Sequence, residues 1–268
     1  MPELPEVETI RLGLQKYFVG HTIKQVELRL PKQFHGDPNV VIGGKVEKVR
    51  RFGKGLVIDL DNGYSLAIHV KMTGQLIFSK LPVVIGKHTH IIFYLDNNEA
   101  LLYNDMRQFG WIHVVKAAAV PEMPFFKSLG KEPLKDLTYK IFVGLLKTSK
   151  KQIKVFLMDQ TKIAGIGNIY ANDALYRARI DPRRSASSLS QQEGERLFSA
   201  IEAVLKKGIA AGGASEWHYV DVLGGKGKYQ NFFLVYQKDG KPCQRCGTII
   251  EKIILGGRGT FFCPNCQS

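Results

Sequence analysis

The N-terminal stretch Met1-Pro2-Glu3-Leu4-Pro5-Glu6-Val7-Glu8 contains the residue types best suited to covalent chemistry. Removal of Met1, which precedes a small residue, would leave Pro2 as a terminal secondary amine. An α-amino group titrates near pH ~8, about two units below a lysine, so part of it is nucleophilic at neutral pH. Attack on a sugar anomeric carbon followed by ring opening would give an iminium, with Glu3 exchanging protons. The alternative is an ordinary helix start, with proline in the first turn and carboxylates facing the helix dipole.

The four cysteines of the chain form two CxxC pairs, Cys243 with Cys246 and Cys263 with Cys266. This spacing predicts one tetrahedral zinc ion bound by four thiolates. Since four protein ligands leave no position for water, we expect a structural ion rather than a catalytic one. A redox dithiol and unrelated cysteines are the alternatives. Disulfides are not expected in a chain of a reducing compartment with no cysteine elsewhere.

The charge balance favours a polyanionic partner. The chain has 38 Lys+Arg against 24 Asp+Glu, a net charge of +14 and a pI near 9.6. Nucleic acid is the commonest such partner, while anionic membranes and ribosomes are alternatives. Aromatic and basic residues alternate in Arg50-Arg51-Phe52-Gly53-Lys54, which favours nucleic acid. Arg258, flanked by glycines, could bind a phosphate through both guanidinium nitrogens, or it is a solvated turn residue.

The first half of the chain predicts one helix followed by short strands. Apolar residues at Val7, Ile10, Leu14 and Phe18 predict a helix over 5–18 with one buried face. Turn sequences at 61–63 and 96–98 mark hairpins, so a sandwich or barrel is expected. The predicted strands are Ile23–Leu30, Gly44–Arg51, Leu56–Leu60, Ser65–Val70, His90–Leu95, Ala100–Asn104 and Trp111–Val115.

The second half is predicted to be helical. Prolines and glycines at 116–133 predict a connector, and the residues 210–230 predict a surface loop that could cover a ligand. The glycines of 163–168 predict a tight turn that presents backbone N–H groups to an anion, or a plain helical hairpin. The predicted helices are Leu134–Leu146, Ile153–Met158, Tyr170–Ala178 and Ser190–Ala211. A strand pair, 249–255 with 260–262, would carry the cysteines.

No apolar run approaches 18 residues, and the acidic N-terminus does not resemble a signal peptide. We therefore expect a cytoplasmic protein that binds no membrane, and we expect it to be a monomer.

Six motifs in order along the chain resemble the Fpg/Nei family of DNA glycosylases. The resemblance implies an α+β fold: an N-terminal β-sandwich flanked by helices, then a helical domain with a helix–two-turn–helix and a β-hairpin zinc finger. The domain boundaries predicted are 1–115, a linker at 116–133, 134–231 and 232–268. The motifs are Pro2–Glu8, Gly53–Gly55, His69–Gly74, Asp105–Gly110, Gly165–Tyr170 and the zinc hairpin.

The resemblance also implies an activity: base-excision repair of double-stranded DNA that contains a damaged base or an abasic site, in the bacterial cytosol or nucleoid. The enzyme would be a bifunctional glycosylase and AP lyase that removes oxidised purines, such as 8-oxoguanine and formamidopyrimidines, and cleaves the strand by β,δ-elimination. Pro2 would be the nucleophile and Glu3 the general acid/base, and Lys54 would assist at a phosphate. One structural zinc ion is the only cofactor implied.

Other positions match DNA-contacting residues of the family. Met72, Arg107 and Phe109 would fill the gap left by the everted nucleotide, with Arg107 facing the opposite cytosine. The matches at phosphate-contacting positions are His69, Lys154, Asn168 and Arg258. Glu6 matches a carboxylate on the lesion side.

Two departures from the family pattern affect these expectations. Asp173 replaces the usual glutamate after the Asn-Ile-Tyr turn. The loop Ser215-Glu216-Trp217-His218-Tyr219-Val220 lacks the usual arginine, and Trp217 and Tyr219 become the lesion-side candidates. The alternatives are an endonuclease VIII-like enzyme for oxidised pyrimidines and a non-catalytic lesion-binding protein. Arg107 with Phe109 argues against the former, and intact Pro2, Glu3 and Lys54 argue against the latter.

Overall fold

The computed structural model describes residues 1–216 and 218–268, so Trp217 lies outside the described residues. The chain divides into two compact units. The first comprises Met1–Lys127 with Ala211–Lys228, and the second comprises Ser128–Ala210 with Tyr229–Ser268. Among the described residues, no helix is both long enough and apolar enough to cross a membrane.

Helix α1 and two sheets build the first unit. Helix α1 spans Leu4–Tyr17, close to its predicted bounds. The strands are β1 (Ile23–Leu28), β2 (Phe34–His35), β3 (Val46–Phe52), β4 (Gly55–Leu60), β5 (Tyr64–His69), β6 (Gly74–Lys80), β7 (Thr89–Leu95), β8 (Glu99–Asp105) and β9 (Trp111–Lys116). One sheet has the order β1-β7-β8-β6, and the other has the order β2-β9-β5-β4-β3. The predicted sandwich is thereby confirmed, although strands β2 and β6 were not expected from the sequence.

The apolar face of α1 anchors this helix in the core. Val7, Ile10, Leu14 and Phe18 are all buried and pack with side chains from both sheets. Burying one such side chain contributes about 1.5–3 kcal/mol. The helix therefore holds its N-terminal end, and the residues before it, in a fixed place.

Two segments belong to the first unit although the predicted boundaries placed them elsewhere. The predicted linker is partly helical, with a 3₁₀ helix at Ala117–Glu122 and the short helix α2 at Pro124–Lys127. Its Phe125 ring lies 4.8 Å from the His69 ring, which attaches the segment to β5. The loop 211–228 bonds to β6, since the amide of Phe78 donates to the carbonyl of Val222 (2.7 Å). Both corrections arise from long-range contacts.

The second unit contains four helices of five or more residues and the strand hairpin. They are α3 (Tyr139–Lys147), α4 (Ile153–Leu157), α5 (Asn168–Ala178), α6 (Gln191–Ala210), β10 (Glu251–Leu255) and β11 (Arg258–Phe262). The prediction that α3 begins at Leu134 was wrong. Leu134 has φ +66°, and the Thr138 hydroxyl accepts the Ile141 amide as the N-cap.

Asp173, the departure in the turn motif, connects α5 to the segment before the hairpin. Its fully buried carboxylate accepts the amides of Leu234, Val235 and Tyr236 (3.1–3.3 Å) and the hydroxyl of Tyr229 (3.2 Å). Burial raises the pKa of Asp173 to about 6, against the lowering effect of these four donors. The carboxylate is therefore ionised at neutral pH, and these four hydrogen bonds stabilise its negative charge.

We expect Asp173→Asn to destabilise the second unit by about 2–4 kcal/mol, because an amide cannot accept all four hydrogen bonds. Denaturant unfolding followed by far-ultraviolet circular dichroism measures this loss. Asp239→Asn, at an exposed carboxylate of the same unit, is the matched control. Equal stability of the two variants would contradict the proposed connection.

Candidate active site

A buried carboxylate fixes the residues at the start of the chain. Glu3 is the N-cap of α1, and its amide donates to Oε2 of Glu6 (2.8 Å). The other oxygen, Oε1, accepts the amide of Ala214 (2.7 Å) in the loop 211–228. Glu6, predicted as a lesion-side carboxylate, is only 1% exposed, and these two hydrogen bonds also make it a positioning group for the start of α1. Pro2 and Glu3 are themselves buried, and Met1 is half exposed.

Lys54 occupies the turn between β3 and β4 and is also buried. Gly53 adopts φ +56°, and a side chain at Gly55 would come within 2.6 Å of the Phe125 ring, so this turn requires glycine at both positions. Arg51 attaches the turn to α1, because its guanidinium donates to Glu8 (2.7 Å) and to the Gly53 carbonyl (3.0 Å). The predicted catalytic lysine is therefore positioned by the same helix as Pro2.

The ion pairs of Glu8 with Arg11 and Arg51 determine whether the attachment of the Lys54 turn to α1 depends on pH. Burial pushes the pKa of Glu8 upward, but hydrogen bonds and charge from Arg11 and Arg51 outweigh burial, so the pKa lies below its usual value. The carboxylate is ionised over the physiological range. The connection between α1 and the Lys54 turn is thus insensitive to pH changes near neutrality.

His69, predicted to contact phosphate, ends β5 in an aromatic environment next to Trp111 and Phe125. Burial, then the charges of Lys71 and Lys54, lower its pKa to about 3. Its Nδ1 lies 2.9 Å from the Lys71 amide and accepts that hydrogen, which leaves the proton on Nε2. His69 is therefore a neutral hydrogen-bond donor and contributes no positive charge.

The three predicted wedge residues are exposed on neighbouring turns. Met72 lies between β5 and β6, whereas Arg107 and Phe109 lie between β8 and β9. Phe109 is 55% exposed, and the Arg107 guanidinium lies 4.8 Å from the centre of its ring. Large exposed apolar groups at turns are suited to insertion between bases.

The second unit contains the remaining phosphate candidates. Asn168 is the first residue of α5, where the positive end of the helix dipole favours an anion, and Arg258 is exposed in the hairpin turn. Lys154, predicted to contact phosphate, is 0% exposed, and its ammonium donates to the Gly259 carbonyl (2.9 Å) and the Thr260 hydroxyl (2.7 Å). We therefore interpret Lys154 as holding the strand that carries Arg258.

The four cysteine sulfurs lie within 4.8 Å of one another. The Sγ atoms of Cys243 and Cys266 are 3.9 Å apart and those of Cys246 and Cys263 are 3.5 Å apart, too far for disulfides. Ligands ~2.3 Å from a tetrahedral zinc ion are separated by about 3.8 Å, which fits this arrangement. The site is closed by protein ligands, as a structural ion requires.

The loop 211–228 contributes two further observations. Tyr219, a predicted lesion-side residue, is buried in the core of the first unit, and its carbonyl accepts the Ser215 hydroxyl (2.7 Å). Glu216 was not singled out by the sequence analysis, although it adjoins the atypical Trp217. Burial and then the negative charge of Glu3 raise the pKa of Glu216 to about 7, while the positive N-terminus opposes the rise. Its carboxyl therefore titrates near neutrality close to the reactive end of the chain.

Sequence reasoning also missed Asp105, Gln33 and Asn172. Asn172 accepts the Phe261 amide (2.8 Å) and donates to the Asn168 carbonyl (2.6 Å), so it connects α5 to β11. Asp105 was included only as the first residue of the Asp105–Gly110 motif and was assigned no role. No local signal in the sequence identifies Gln33.

Comparison with known proteins gives one consistent result over the whole chain. Residues 1–112 match the model of the formamidopyrimidine-DNA glycosylase N-terminal domain, and residues 129–218 match that of its H2TH domain. Residues 240–268 match the zinc finger found in FPG and IleRS. Together with the sulfur geometry, this match identifies one structural zinc site.

Whole-length relatives agree with these matches. Formamidopyrimidine-DNA glycosylases of Pelotomaculum thermopropionicum and Listeria monocytogenes are 44% and 41% identical, covering 100% of this chain and 99% and 100% of theirs. The Fpg of Lactococcus lactis in complex with abasic-site DNA superimposes with a TM-score of 0.93 at 35% identity, covering 99% of both chains. A complex of the wild-type Lactococcus lactis protein with DNA containing an oxidised pyrimidine has a TM-score of 0.92 at 36% identity and full coverage.

Removal of zinc is expected to unfold the β10–β11 hairpin and to abolish DNA binding, because metal binding supplies much of the folding energy of such a module. Chelation followed by metal analysis and a fluorescence-anisotropy titration with duplex DNA tests this, with zinc re-addition as the control. Undiminished binding after verified metal loss would refute the expectation.

His69→Gln is expected to weaken DNA binding without changing its salt dependence, since the neutral imidazole releases no counterion. Arg258→Gln should reduce the slope of log K against log[salt] by about 0.9. Anisotropy titrations over a salt series on an uncleavable abasic-site analogue measure both slopes. Equal reductions for the two variants would show that His69 binds DNA as a cation.

Proposed function

The chain belongs to the formamidopyrimidine-DNA glycosylase family, and we propose that it removes oxidised purines from double-stranded DNA and then cleaves the strand through a Pro2 iminium. It is a bifunctional DNA glycosylase and AP lyase. The proposed substrates are 8-oxoguanine and formamidopyrimidines, and the place of action is the bacterial cytoplasm. The observation that carries the proposal is the organisation of Pro2, Glu3 and Lys54 around one helix start, with Glu6 fixing its first amide.

The first chemical step requires an unprotonated amine. After Met1 is removed, the Pro2 nitrogen attacks C1′ of the damaged nucleotide and the glycosidic bond breaks, so the base leaves with the bonding electrons. The departing base takes a proton from water. The Glu3 carboxylate accepts the proton that the attached Pro2 nitrogen gives up and passes it to O4′ as the sugar ring opens, and the freed lone pair of Pro2 completes the iminium.

The iminium then acidifies the neighbouring carbon. Loss of a C2′ proton expels the 3′ phosphate, and a second elimination expels the 5′ phosphate. Lys54 is positioned to stabilise the negative charge on a phosphate beside the lesion. Hydrolysis releases the sugar fragment and regenerates the Pro2 amine.

The base must leave the helix before any of this chemistry can occur. Unstacking costs a few kcal/mol, which insertion of Met72, Arg107 and Phe109 would partly offset. We propose that Arg107 contacts the opposite base and that Asn168 and Arg258 contact backbone phosphates. Oxidised pyrimidines are the second substrate class, favoured by the loop around Glu216, which lacks the usual arginine, and by the oxidised-pyrimidine complex of the Lactococcus lactis relative.

Borohydride trapping should covalently join the protein to duplexes that contain 8-oxoguanine or an abasic site. Pro2→Gly should sharply reduce trapping through the N-terminal amine, because a primary amine in a more flexible chain replaces the fixed secondary amine. The measurement is gel-shift and peptide mass spectrometry, which also verifies removal of Met1. Pro5→Ala, at the proline in the first turn of α1, is the control and should still trap.

Three outcomes separate the possibilities. Failure of the trimmed protein to trap on any duplex would refute the enzyme assignment. Trapping at an internal lysine in Pro2→Gly would refute Pro2 as the nucleophile. More efficient trapping on thymine glycol than on 8-oxoguanine would assign the oxidised pyrimidines as the preferred substrate.

A further inference from the structure

The two turns that carry the wedge residues share one topological position. The turn at 70–73 leaves β5 in the five-stranded sheet and enters β6 in the four-stranded sheet, and the turn at 106–110 makes the reverse crossing from β8 to β9. Strand pairing brackets both turns, since His69 is opposite Trp111 and Gly74 is opposite Asp105. The turns therefore lie side by side, but strand pairing alone does not fix their tips.

A single buried carboxylate bonds to both turns. Asp105 is 0% exposed, and its Oδ1 accepts the Thr73 hydroxyl (2.5 Å) and the Arg107 amide (3.2 Å). Its Oδ2 accepts the Gly110 amide (2.8 Å) and the side-chain amide of Gln33 (2.9 Å). Thr73 follows Met72 directly, whereas Arg107 and Gly110 lie on either side of Phe109.

The bonds around Asp105 form a closed network. The Thr73 hydroxyl donates to Asp105 and also accepts the Arg107 amide (2.9 Å), so each turn is bonded to the other as well as to the carboxylate. Gln33 donates to the Gly110 carbonyl (3.0 Å) in addition to Asp105. The backbone carbonyl of Asp105 lies 2.9 Å from Nε2 of His90, which attaches the main chain at Asp105 to β7.

Close packing and unusual backbone angles also constrain the two turns. A Cβ at Gly110 would lie 1.9 Å from the Tyr103 hydroxyl, and a Cβ at Gly74 would lie 2.5 Å from the Val70 carbonyl. Lys71 and Gln108, at the tips of the turns, adopt φ +50° and φ +58°, values that residues other than glycine rarely adopt. Such conformations persist only where surrounding bonds determine them.

We propose that Asp105 is a positioning residue that joins the two turns into one rigid, preformed wedge for DNA insertion. This inference rests on the proposed function. Without the carboxylate, Met72 and Phe109 would each have to be ordered when they enter the base stack. With it, that ordering cost is already met in the free protein.

Asp105→Asn tests the inference because it preserves shape but replaces one acceptor oxygen with an NH₂ group that faces donors. On a duplex with a paired 8-oxoguanine, we expect single-turnover base excision to slow by roughly ten- to a hundred-fold. Eversion, followed by the fluorescence of a 2-aminopurine beside the lesion, should slow by a similar factor. Borohydride trapping on a single-stranded abasic site, which needs no eversion, should be unchanged.

Matched variants separate positioning from loss of fold. Thr73→Val removes only the hydroxyl and should show a smaller slowing of the same kind; it replaces Asp105→Asn if that variant does not fold. Asp59→Asn, at a carboxylate bonded to Arg50 and Ser65 in the same unit, should behave as the wild type.

Two results would overturn the inference: equal slowing on the paired lesion and the single-stranded abasic site, or no slowing on either substrate. Failure of the wild-type protein to trap on any substrate would instead refute the proposed function.

Discussion

The structure depends on a carboxylate that keeps the beginning of the chain still. Chain termini usually fray, yet the proposed chemistry requires the terminal amine to stand within bonding distance of one carbon. Glu6 meets this requirement by bonding to the Glu3 amide on one side and to the Ala214 amide on the other. The buried face of α1 holds Glu6 in turn, and Arg51 extends the same support to the Lys54 turn.

Positive charge is distributed differently from what the composition alone suggests. The net charge of +14 attracts DNA, but several basic side chains near the predicted contacts are buried or neutral. His69 is uncharged, and the buried ammonium of Lys154 donates to the Gly259 carbonyl within the second unit. Long-range attraction therefore falls mainly to exposed lysines and arginines, and we propose that the groups predicted to lie beside the lesion act through shape and directed hydrogen bonds.

Local chemistry was predictable from the sequence wherever residue type and spacing determine it. The four cysteines, the apolar face of α1 and the turns at 61–63 and 96–98 are of this kind. The exposure of individual side chains was not predictable. Without the family resemblance, Met72 and Phe109 would be assigned to the core because they are large apolar residues. Lys154 would be assigned to the surface, because fully buried lysines are uncommon. The bond from Gln33 to Asp105 spans 72 positions along the chain and leaves no periodic trace.

The position of the loop 211–228 has a consequence for synthesis. The ribosome makes the reactive end first, but the amide that completes the bonding of Glu6 belongs to Ala214, which emerges only after most of the second unit. Folding of the first unit therefore cannot finish in the order in which its residues appear. A nascent chain whose methionine has already been trimmed would carry an exposed amine in an incomplete site. The hydrogen bond between Ala214 and Glu6 can form only after residue 214 has been synthesised.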